Sequence, residues 1–326
     1  MHSFSEILDQ LNAFGKEQSF PKAPAELYEP CDYILSLGGK RLRPALALMA
    51  AELVGGDPGL ALHPAWAVEL FHNFSLIHDD IMDAAPLRRG QPTVHMRWDL
   101  TTGILSGDVM LIYAYQHLAQ TPKQEVLPQL LEVFNRVAIG VCEGQQLDIN
   151  FEKRAEVSLE EYLYMIELKT AVLLGGALEM GALAAGSTAQ DAALLYDFGR
   201  LAGIAFQIQD DLLDTYGDPG TFGKQVGGDI LQNKKTFLVL KTLEIASETD
   251  ASALRQLLSS ATHQEPESKI AAVRSLFDKY QVPALVQTEK ARFEQKAFDA
   301  LAAVSAPDSR KEVLRSMVAE LLHRQK

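Results

Sequence analysis

The chain of 326 residues has only two cysteines, Cys31 and Cys142, and no run of 18 consecutive apolar residues. Two distant cysteines are too few for a disulfide framework or a zinc site, and they favour a reducing, cytoplasmic location. The longest apolar candidate, residues 171–186, is short and contains Glu179, so we expect no transmembrane segment. The amino terminus lacks a basic region followed by an apolar core, and no signal peptide is expected.

Positive charge is also scarce, since 30 Lys and Arg stand against 43 Asp and Glu, for a formal net charge of −13. This excess of negative charge argues against nucleic acid and anionic membrane surfaces as partners. The phosphate-binding motifs of P-loop proteins, dinucleotide-binding folds and protein kinases are all missing. An anionic substrate would therefore need a site that is locally basic or loaded with metal.

Alternating runs of β-branched residues are missing as well, whereas helical periodicity extends over the whole chain. No Pro/Gly/Ser-rich linker divides it, so we predict one all-α domain over residues 1–326, a large helical bundle around a deep central cavity. Three or four helices are expected after Ala251, and those before it are Pro44–Val54, Pro64–Ala84, Thr102–Ala119, Gln124–Phe151, Leu159–Leu174, Asp191–Tyr216 and Ile230–Ser247.

Two acidic triplets with the spacing D-D-x-x-D, at 79–83 and 210–214, lie inside apolar helical runs. The first and last Asp of each are one helical turn apart, and two carboxylates at about 6 Å repel by a few kcal/mol at an effective dielectric of ~20. An apolar helix gains nothing from that repulsion unless a cation lies between the carboxylates. Such oxygen ligands suit Mg²⁺, which is commonly shared with substrate phosphates. One triplet alone could equally be a solvated helix end, but two triplets favour a metal site.

Basic residues accompany both triplets. They are the Gly38–Pro44 loop GGKRLRP, Arg88-Arg89 after the first triplet, Lys169-Thr170 in an apolar helix, and Lys224 with Lys234-Lys235 after the second. A solvated turn or a snorkelling lysine would explain any one of these. Together they indicate that Asp binds Mg²⁺, Mg²⁺ binds a diphosphate, and Arg and Lys neutralise the remaining oxygens. A substrate with a diphosphate head and a hydrocarbon tail fits this combination.

These motifs resemble those of the trans-isoprenyl diphosphate synthases of the farnesyl/geranylgeranyl type. The matching segments, between residues 38 and 240, are GGKRLRP, SLIHDDIMD with PLRRG, SGD at 106–108, GQQLD at 144–148, Lys169-Thr170, FQIQDDLLD and GK…GGD…NKKT. The resemblance implies the isoprenoid synthase fold and a Mg²⁺-dependent prenyltransferase. Such an enzyme condenses isopentenyl diphosphate head-to-tail with dimethylallyl, geranyl or farnesyl diphosphate. The remaining C-terminal residues show only helical character.

The resemblance also implies roles for individual residues, with three Mg²⁺ per active site. The metal-binding candidates are Asp79, Asp83, Asp210 and Asp214, the last of which, like Asp80 and Asp211, would act through water. The allylic diphosphate would contact Arg88, Lys169 and Lys224, with Lys234 nearby. Isopentenyl diphosphate would contact Lys40, Arg43, His72 and Arg89. Thr170 and Gln207 would face the carbocation, and with Lys169 and Arg88 they are the catalytic candidates. For His72 a hydrogen bond to a neighbour is the alternative.

Product length is predicted from the helix that carries the first triplet. Phe71 and Phe74 precede Asp79 by eight and five residues, about 12 and 7.5 Å along the helix axis. We predict that the two rings form a floor of the cavity and stop the prenyl chain from growing further. Ordinary core packing is the commoner role of phenylalanine rings on a helix. We expect a product of fifteen or twenty carbons and favour fifteen. The first triplet lacks the two extra residues of one common bacterial subtype.

Two other functions remain open at this point. A class I terpene cyclase uses similar Asp–Mg²⁺ chemistry but needs no second diphosphate site and typically lacks the second triplet in this form. A non-catalytic regulatory subunit of a prenyl synthase usually has degraded Asp motifs, whereas both are intact here. The resemblance further implies a homodimer, with no interface identified by the sequence.

Overall fold

The computed structural model describes residues 1–217, 226–259 and 265–323, and regular structure in them is almost entirely helical, as predicted. A two-stranded hairpin pairs β1 (Leu87–Arg88) with β2 (Gln91–Pro92). The helices are α1 (Phe4–Glu17), α2 (Ala25–Ser36), α3 (Leu42–Leu53), α4 (Leu62–Met82), α5 (Val94–Arg97), α6 (Leu100–Ala119), α7 (Leu127–Lys153), α8 (Leu159–Ile166), α9 (Val172–Ala185), α10 (Ala189–Tyr216), α11 (Gly228–Leu231), α12 (Phe237–Ile245), α13 (Glu248–Leu257), α14 (Pro266–Lys279), α15 (Val282–Ala303) and α16 (Asp308–His323). Two 3₁₀ turns, Pro58–Ala61 and Gln124–Val126, precede α4 and α7, and a π-helical turn, Glu167–Ala171, joins α8 to α9.

Local sequence signals explain several of the helix starts. At α1 and α8 a serine N-cap and a glutamate three residues later form capping boxes, Ser3 with Glu6 and Ser158 with Glu161. These pairs satisfy backbone N–H groups that have no partner inside the helix.

The predicted helices differ from the observed ones in three places. Helices α1 and α2 precede the first predicted one. The helix predicted to end at Leu174 continues as the π turn and α9 to Ala185. The predicted helix Ile230–Ser247 is wrong as a single element, because Asn233 adopts a left-handed backbone conformation (φ 59°) that ends α11, and α12 begins only at Phe237.

The chain forms two compact units, each assembled from three separated segments. The first unit is Met1–Ala138, Gly176–Tyr196 and Val304–Leu314, and the second is Ile139–Gly175, Asp197–Ala303 and Arg315–Lys326. Most of the boundaries between these segments fall inside helices. The single domain and the deep central cavity remain predictions.

In the first unit, α4 packs along α6 and against α3. Glycines permit the closest approaches: a Cβ on Gly107 of α6 would lie 2.4 Å from His78 Nε2, and one on Gly181 would lie 1.9 Å from the Ala47 carbonyl oxygen. The SGD motif of α6 therefore has a packing role, since Gly107 admits the His78 ring beside the first Asp triplet.

In the second unit, the residues of α10 after Tyr196 pack against the π turn, and Gly203 of α10 admits Ala171 in the same way. Among the described residues, one helical stretch, Leu159–Ala185, is long and apolar enough to cross a membrane by length and composition. Within its apolar window 72% is buried inside the fold, which is typical of a core helix.

Candidate active site

The first Asp triplet occupies the last turn of α4, and its three carboxylates have different surroundings. The Asp80 side chain is only 3% exposed and accepts two hydrogen bonds from Arg88, through Nε at 2.8 Å and Nη2 at 2.7 Å. The Asp79 side chain is 23% exposed, with Arg88 Nη2 at 3.7 Å, and Asp83 is exposed at the C-cap. The outer two carboxylates of the triplet are therefore the accessible ones, one turn apart, while the middle one anchors an arginine.

Arg88 and Arg89 are placed by the β1–β2 hairpin, in a segment between two predicted helices for which no regular structure was expected. The turn residues Arg89 and Gly90 both have positive φ, 52° and 75°. That pair of conformations defines a type I′ turn, the tight connection that suits the twist of a two-stranded hairpin. The hairpin turns Arg88 back onto Asp80, which lies eight residues earlier in the chain.

The Gly38–Pro44 loop lies next to this hairpin. The Arg89 guanidinium fills the space beside Gly39, where a Cβ would lie 2.9 Å from Nη2. Arg41 is directed elsewhere, because it donates a 2.6 Å hydrogen bond to Asn12 and lies over the Trp66 ring. Lys40 is exposed. The cations of this loop therefore differ in role. Arg41 holds the loop to neighbouring helices, whereas Lys40 faces solvent.

Arg43 and His72 are in contact, with Arg43 Nη1 donating to His72 Nε2 at 3.2 Å. Burial, together with Arg43, Arg89 and Arg88, holds the pKa of His72 well below its usual range. The ring is therefore neutral, and because Nε2 accepts, its proton lies on Nδ1. Arg43 Nε is buried without a hydrogen-bond partner in the part of the chain that the structure describes.

Glu69, one turn before His72, is the buried counter-charge of this basic cluster. Burial raises its pKa, while Arg41, a hydrogen bond from Asn73 and Arg43 act in the opposite direction. Glu69 is not among the predicted site residues, although a carboxylate in the apolar run AVELFHNF could have signalled it. We call Arg43, His72, Arg89 and Glu69 the basic cluster.

The two phenylalanines predicted to limit product length lie in contact, with ring centroids 5.6 Å apart. Phe71 is fully buried and meets Phe134 edge-on at 5.5 Å. Phe74 is half-buried and packs on the His78 ring at 4.7 Å. Phe71 is enclosed by the core, whereas Phe74 is only half-buried, so of the two rings Phe74 is the more accessible to a substrate.

The second Asp triplet lies near the end of α10 in the second unit. Asp211 is buried and accepts hydrogen bonds from the Tyr162 hydroxyl, the Phe237 backbone N–H at 3.0 Å and the Gln207 amide at 3.3 Å. Asp214 is buried and accepts from the Asp229 backbone N–H at 3.0 Å. Asp210 is only half-buried. As in the first triplet, the middle carboxylate is used to hold neighbouring elements together.

Lys169 and Thr170 project from the π turn. Lys169 Nζ lies 2.5 Å from an Asp148 carboxylate oxygen, and Thr170 Oγ1 is within 3.5 Å of Gln207 Oε1. The pairing with Asp148 explains how an apolar helix accommodates a lysine. Asp148 belongs to the GQQLD motif, which is one of the segments that resemble the family but had no predicted role.

Within the second unit these side chains line a cavity of about 140 Å³. Lys234 and Lys235 also line it; Lys234 Nζ is 3.6 Å from Asp229, and Lys235 donates to the Phe151 carbonyl. Lys224 lies outside the described residues. The other lining residues include Asp148, Tyr162, Lys169, Thr170, Gln207, Asp211 and Asn233.

Comparison with known proteins identifies the family to which this chain belongs. A sequence profile of polyprenyl synthetases matches residues 24–276. The chain belongs to the polyprenyl synthetase family.

Similar proteins of this family cover nearly the whole chain. A short-chain isoprenyl diphosphate synthase of Methanothermobacter thermautotrophicus is 41% identical over 86% of this chain and 84% of its own. A geranylgeranyl diphosphate synthase of Sulfolobus acidocaldarius is 37% identical over 93% and 92%. A crystal structure of a geranylgeranyl pyrophosphate synthase covers 100% of both chains, with 44% identity and a TM-score of 0.95.

The predicted all-α isoprenoid synthase fold and the predicted prenyl diphosphate synthase are confirmed by these comparisons. The protein is a prenyltransferase that elongates a prenyl chain, and its family generally uses Mg²⁺. The roles of individual residues stay predictions. The structure brings Arg88 to Asp79 and Asp80, Arg43 to His72, and Thr170 to Gln207.

Proposed function

We propose that the protein condenses isopentenyl diphosphate head-to-tail with an allylic diphosphate in a Mg²⁺-dependent reaction, and releases diphosphate with an all-trans product of twenty carbons. The sequence alone favoured fifteen. Several relatives of this chain are named geranylgeranyl diphosphate synthases, and that favours twenty.

The observation that carries the proposal is the basic cluster. A cyclase needs one diphosphate site, whereas a synthase needs a second one for isopentenyl diphosphate. Arg43 contributes a buried Nε that has no hydrogen-bond partner among the described residues, His72 a neutral ring with its proton on Nδ1, and Arg89 a guanidinium. Guanidinium groups match phosphate oxygens bidentately, so isopentenyl diphosphate fits here, with Lys40 on the exposed side of the loop.

The residues present fit Mg²⁺. Asp79 and Asp83, the accessible carboxylates of the first triplet, and Asp210, the accessible one of the second, offer hard oxygen ligands. Among the described residues no group of three or more His, Cys, Asp or Glu forms a metal site. Magnesium sites of this kind are completed by substrate phosphates and water, so we propose that the ions, three per site, bind together with the diphosphate.

We propose the following division of labour for the reaction. Bound Mg²⁺ supplies charge stabilisation for the departing diphosphate. Lys169, held by Asp148, and Lys234 bind the same diphosphate. Arg88, which holds Asp80 through Nε and Nη2, binds it as well. Lys224 is assigned to this group from the sequence alone.

Thr170 and Gln207 present oxygens to the carbocation. Neither is a strong nucleophile, so the cation survives long enough to react with isopentenyl diphosphate. The released diphosphate is the base for the final proton, and no side-chain base is required. Asp214, which is engaged by the Asp229 backbone, would act on the metal through water.

We also propose that the protein is a cytoplasmic homodimer in which a second copy covers one face of α6. Leu100, Ile104, Leu105 and Ile112 form an apolar stripe along this helix and are 41–64% exposed. An exposed apolar stripe of this kind is typical of an interaction surface.

Light scattering tests the dimer. The parent protein is expected to have the mass of a dimer, and the Ile112→Glu variant is expected to have the mass of a monomer. Ile245→Glu, at an exposed apolar side chain on α12, is the control and should remain dimeric.

An incubation with labelled isopentenyl diphosphate, an allylic diphosphate and Mg²⁺, followed by chromatography, tests the activity. A longer prenyl diphosphate supports the proposal and gives the chain length directly. A cyclic hydrocarbon would indicate a cyclase, and no product at any Mg²⁺ concentration would indicate a regulatory subunit.

A further inference from the structure

The C-terminal part of the second unit contains two buried lysines, Lys269 in α14 and Lys290 in α15, which are 7% and 5% exposed. Each lies on a stripe of otherwise apolar residues: Lys269 precedes Val273 and Phe277, and Lys290 lies between Val286 and Phe293. Placing an ammonium in such a stripe is unfavourable unless its hydrogen bonds are made. The partners of these two lysines are therefore informative.

Lys290 Nζ donates to two neutral acceptors, Gln209 Oε1 at 3.0 Å and the Leu322 carbonyl at 2.7 Å. Gln209 is buried and directly precedes Asp210, the accessible carboxylate of the second triplet. Leu322 lies in the last turn of α16, where carbonyls lack intrahelical partners and a cation is favoured. The ammonium thus joins the end of the chain to the residue before a proposed metal ligand.

Lys269 Nζ donates to Asn233 Oδ1 at 2.5 Å. Asn233 directly precedes Lys234 and holds the left-handed conformation that ends α11 and turns the chain toward Lys234 and Lys235. A lysine in the second turn of its helix lies near the positive end of the helix dipole. Lys269 therefore gains nothing from its own helix, and its contact with Asn233 is the interaction that accounts for its position.

The two contacts have the same form. In each contact one acceptor is a side-chain amide oxygen, and that amide belongs to the residue immediately before one assigned to the substrate–metal site. Burial lowers the pKa of both lysines. The hydrogen bonds that each lysine donates hold its helix to the segment that carries the acceptor. A merely space-filling role would be served better by Leu or Met, which carry no desolvation cost.

We propose that Lys269 and Lys290 are positioning residues, through which the C-terminal helices set the geometry of the Lys234 loop and of the Asp210 end of α10. This inference rests on the proposed roles of Asp210 and Lys234. It gives a function to the C-terminal segment, for which the sequence suggested none.

The Lys290 arm is tested with Lys290→Met, which keeps length and apolar volume but removes the donor. The free Mg²⁺ concentration for half-maximal rate should rise roughly tenfold, as expected when a buried acceptor loses its partner. The KM for isopentenyl diphosphate and kcat at saturating Mg²⁺ should change less than about threefold. Lys311→Met is the matched control, because Lys311 is equally buried and belongs to the first unit.

Gln209→Met removes the acceptor and leaves Lys290 in place, so it tests the same link if Lys290→Met does not fold. The double variant should require no more Mg²⁺ than either single one, because both break one interaction. Additive effects would overturn the link between the two residues, as would a Mg²⁺ requirement in Lys290→Met equal to that of Lys311→Met.

The Lys269 arm predicts a different signature. Lys269→Met should raise the KM for the allylic diphosphate about tenfold and leave the Mg²⁺ requirement unchanged. Asn233→Gly removes the amide but adopts the left-handed conformation without strain, so it should reproduce this effect. An unchanged KM in both variants would overturn this arm.

Hydrogen–deuterium exchange in the metal-free protein separates this inference from the proposed function. In Lys290→Met, amides of residues 205–216 and 318–323 should exchange faster than in the parent protein, and in Lys311→Met they should not. If the parent protein failed to condense the substrates but the exchange difference appeared, the proposed function would fall and the coupling would stand. Equal exchange in both variants would overturn the coupling.

Discussion

Gly144 of α7 and Lys169 of the π turn are so close that a Cβ on the glycine would lie 2.3 Å from the Lys169 backbone nitrogen. Backbone atoms cannot move aside as a flexible side chain can. The contact fixes α7 against the turn that carries Lys169 and Thr170, and it brings Asp148, one helical turn after Gly144, to the Lys169 ammonium.

Gly144→Ala is therefore expected to lower the free energy of unfolding by about 1–3 kcal/mol and kcat by more than about tenfold, because the π turn must shift. Gly140→Ala is the control, since a Cβ there meets Leu168 and Val172 at an ordinary 3.5 Å. It should be neutral or stabilise α7 by about 0.5–1 kcal/mol. Urea denaturation and steady-state kinetics measure both quantities, and equal behaviour of the two variants would contradict the tight contact.

Asp79→Ala and Asp210→Ala are expected to reduce kcat by at least about a hundredfold with little loss of stability, because each removes an accessible proposed metal ligand and relieves charge repulsion. Asp197→Ala, at a half-exposed carboxylate on α10, is the control. Kinetics over a range of Mg²⁺ concentrations, with circular dichroism for the fold, provide the test. Turnover near that of the parent protein in either variant would refute the metal assignment.

Removal of the phenylalanine rings is expected to lengthen the product. Phe71→Ala also leaves a cavity in the core, at a cost of about 3–5 kcal/mol. Phe74→Ala is the cleaner variant because its ring is half-buried. Chromatography of the products should show chains at least one isoprene unit longer, and an unchanged distribution in both variants would remove the proposed floor.

The half-buried His63 and the buried His117, whose Nδ1 atoms are 3.1 Å apart, predict a pH dependence of stability. Burial, reinforced by His63, lowers the pKa of His117 to about 4. Between pH 6.5 and 4 the unfolded chain therefore binds a proton that the folded chain does not, so stability falls as the pH falls through this window, by at most about 3 kcal/mol.

His117→Gln removes this titration and should flatten the decrease in unfolding free energy between pH 7 and pH 4.5, as measured by urea denaturation. His323→Gln, at an exposed ring, is the control and should retain the slope of the parent protein. A slope in His117→Gln as steep as that of the parent would show that other groups dominate.

The sequence predicted the chemistry better than the geometry. Motifs of a few residues identified the two triplets, and short spacing placed Arg88 near the first of them. Contacts between distant segments left no local signal. Three contacts depend on how helices far apart in sequence pack. They are the ion pair of Lys169 with Asp148, the burial of Glu69 near the arginines, and the hydrogen bond from Tyr162 to Asp211.

Backbone details were equally hidden. Nothing in ELKTA distinguishes a π turn from α-helix, and the left-handed Asn233 sits in a run that periodicity assigned to one helix. In both places tertiary contacts override local preference. They lie beside the residues whose positions matter most, as expected where function constrains a local conformation.

The π turn at Glu167–Ala171 accommodates one residue more than an α-helix would in the same length. Deleting a single residue there, Leu168 for example, would convert the segment to ordinary α-helix and leave α8 and α9 in the register that they have now. Lys169 and Thr170 would lose their present positions beside Asp148 and Gln207, while the apolar face of α9 would stay buried. A single-residue deletion would therefore separate the placement of these two side chains from the packing of the surrounding helices.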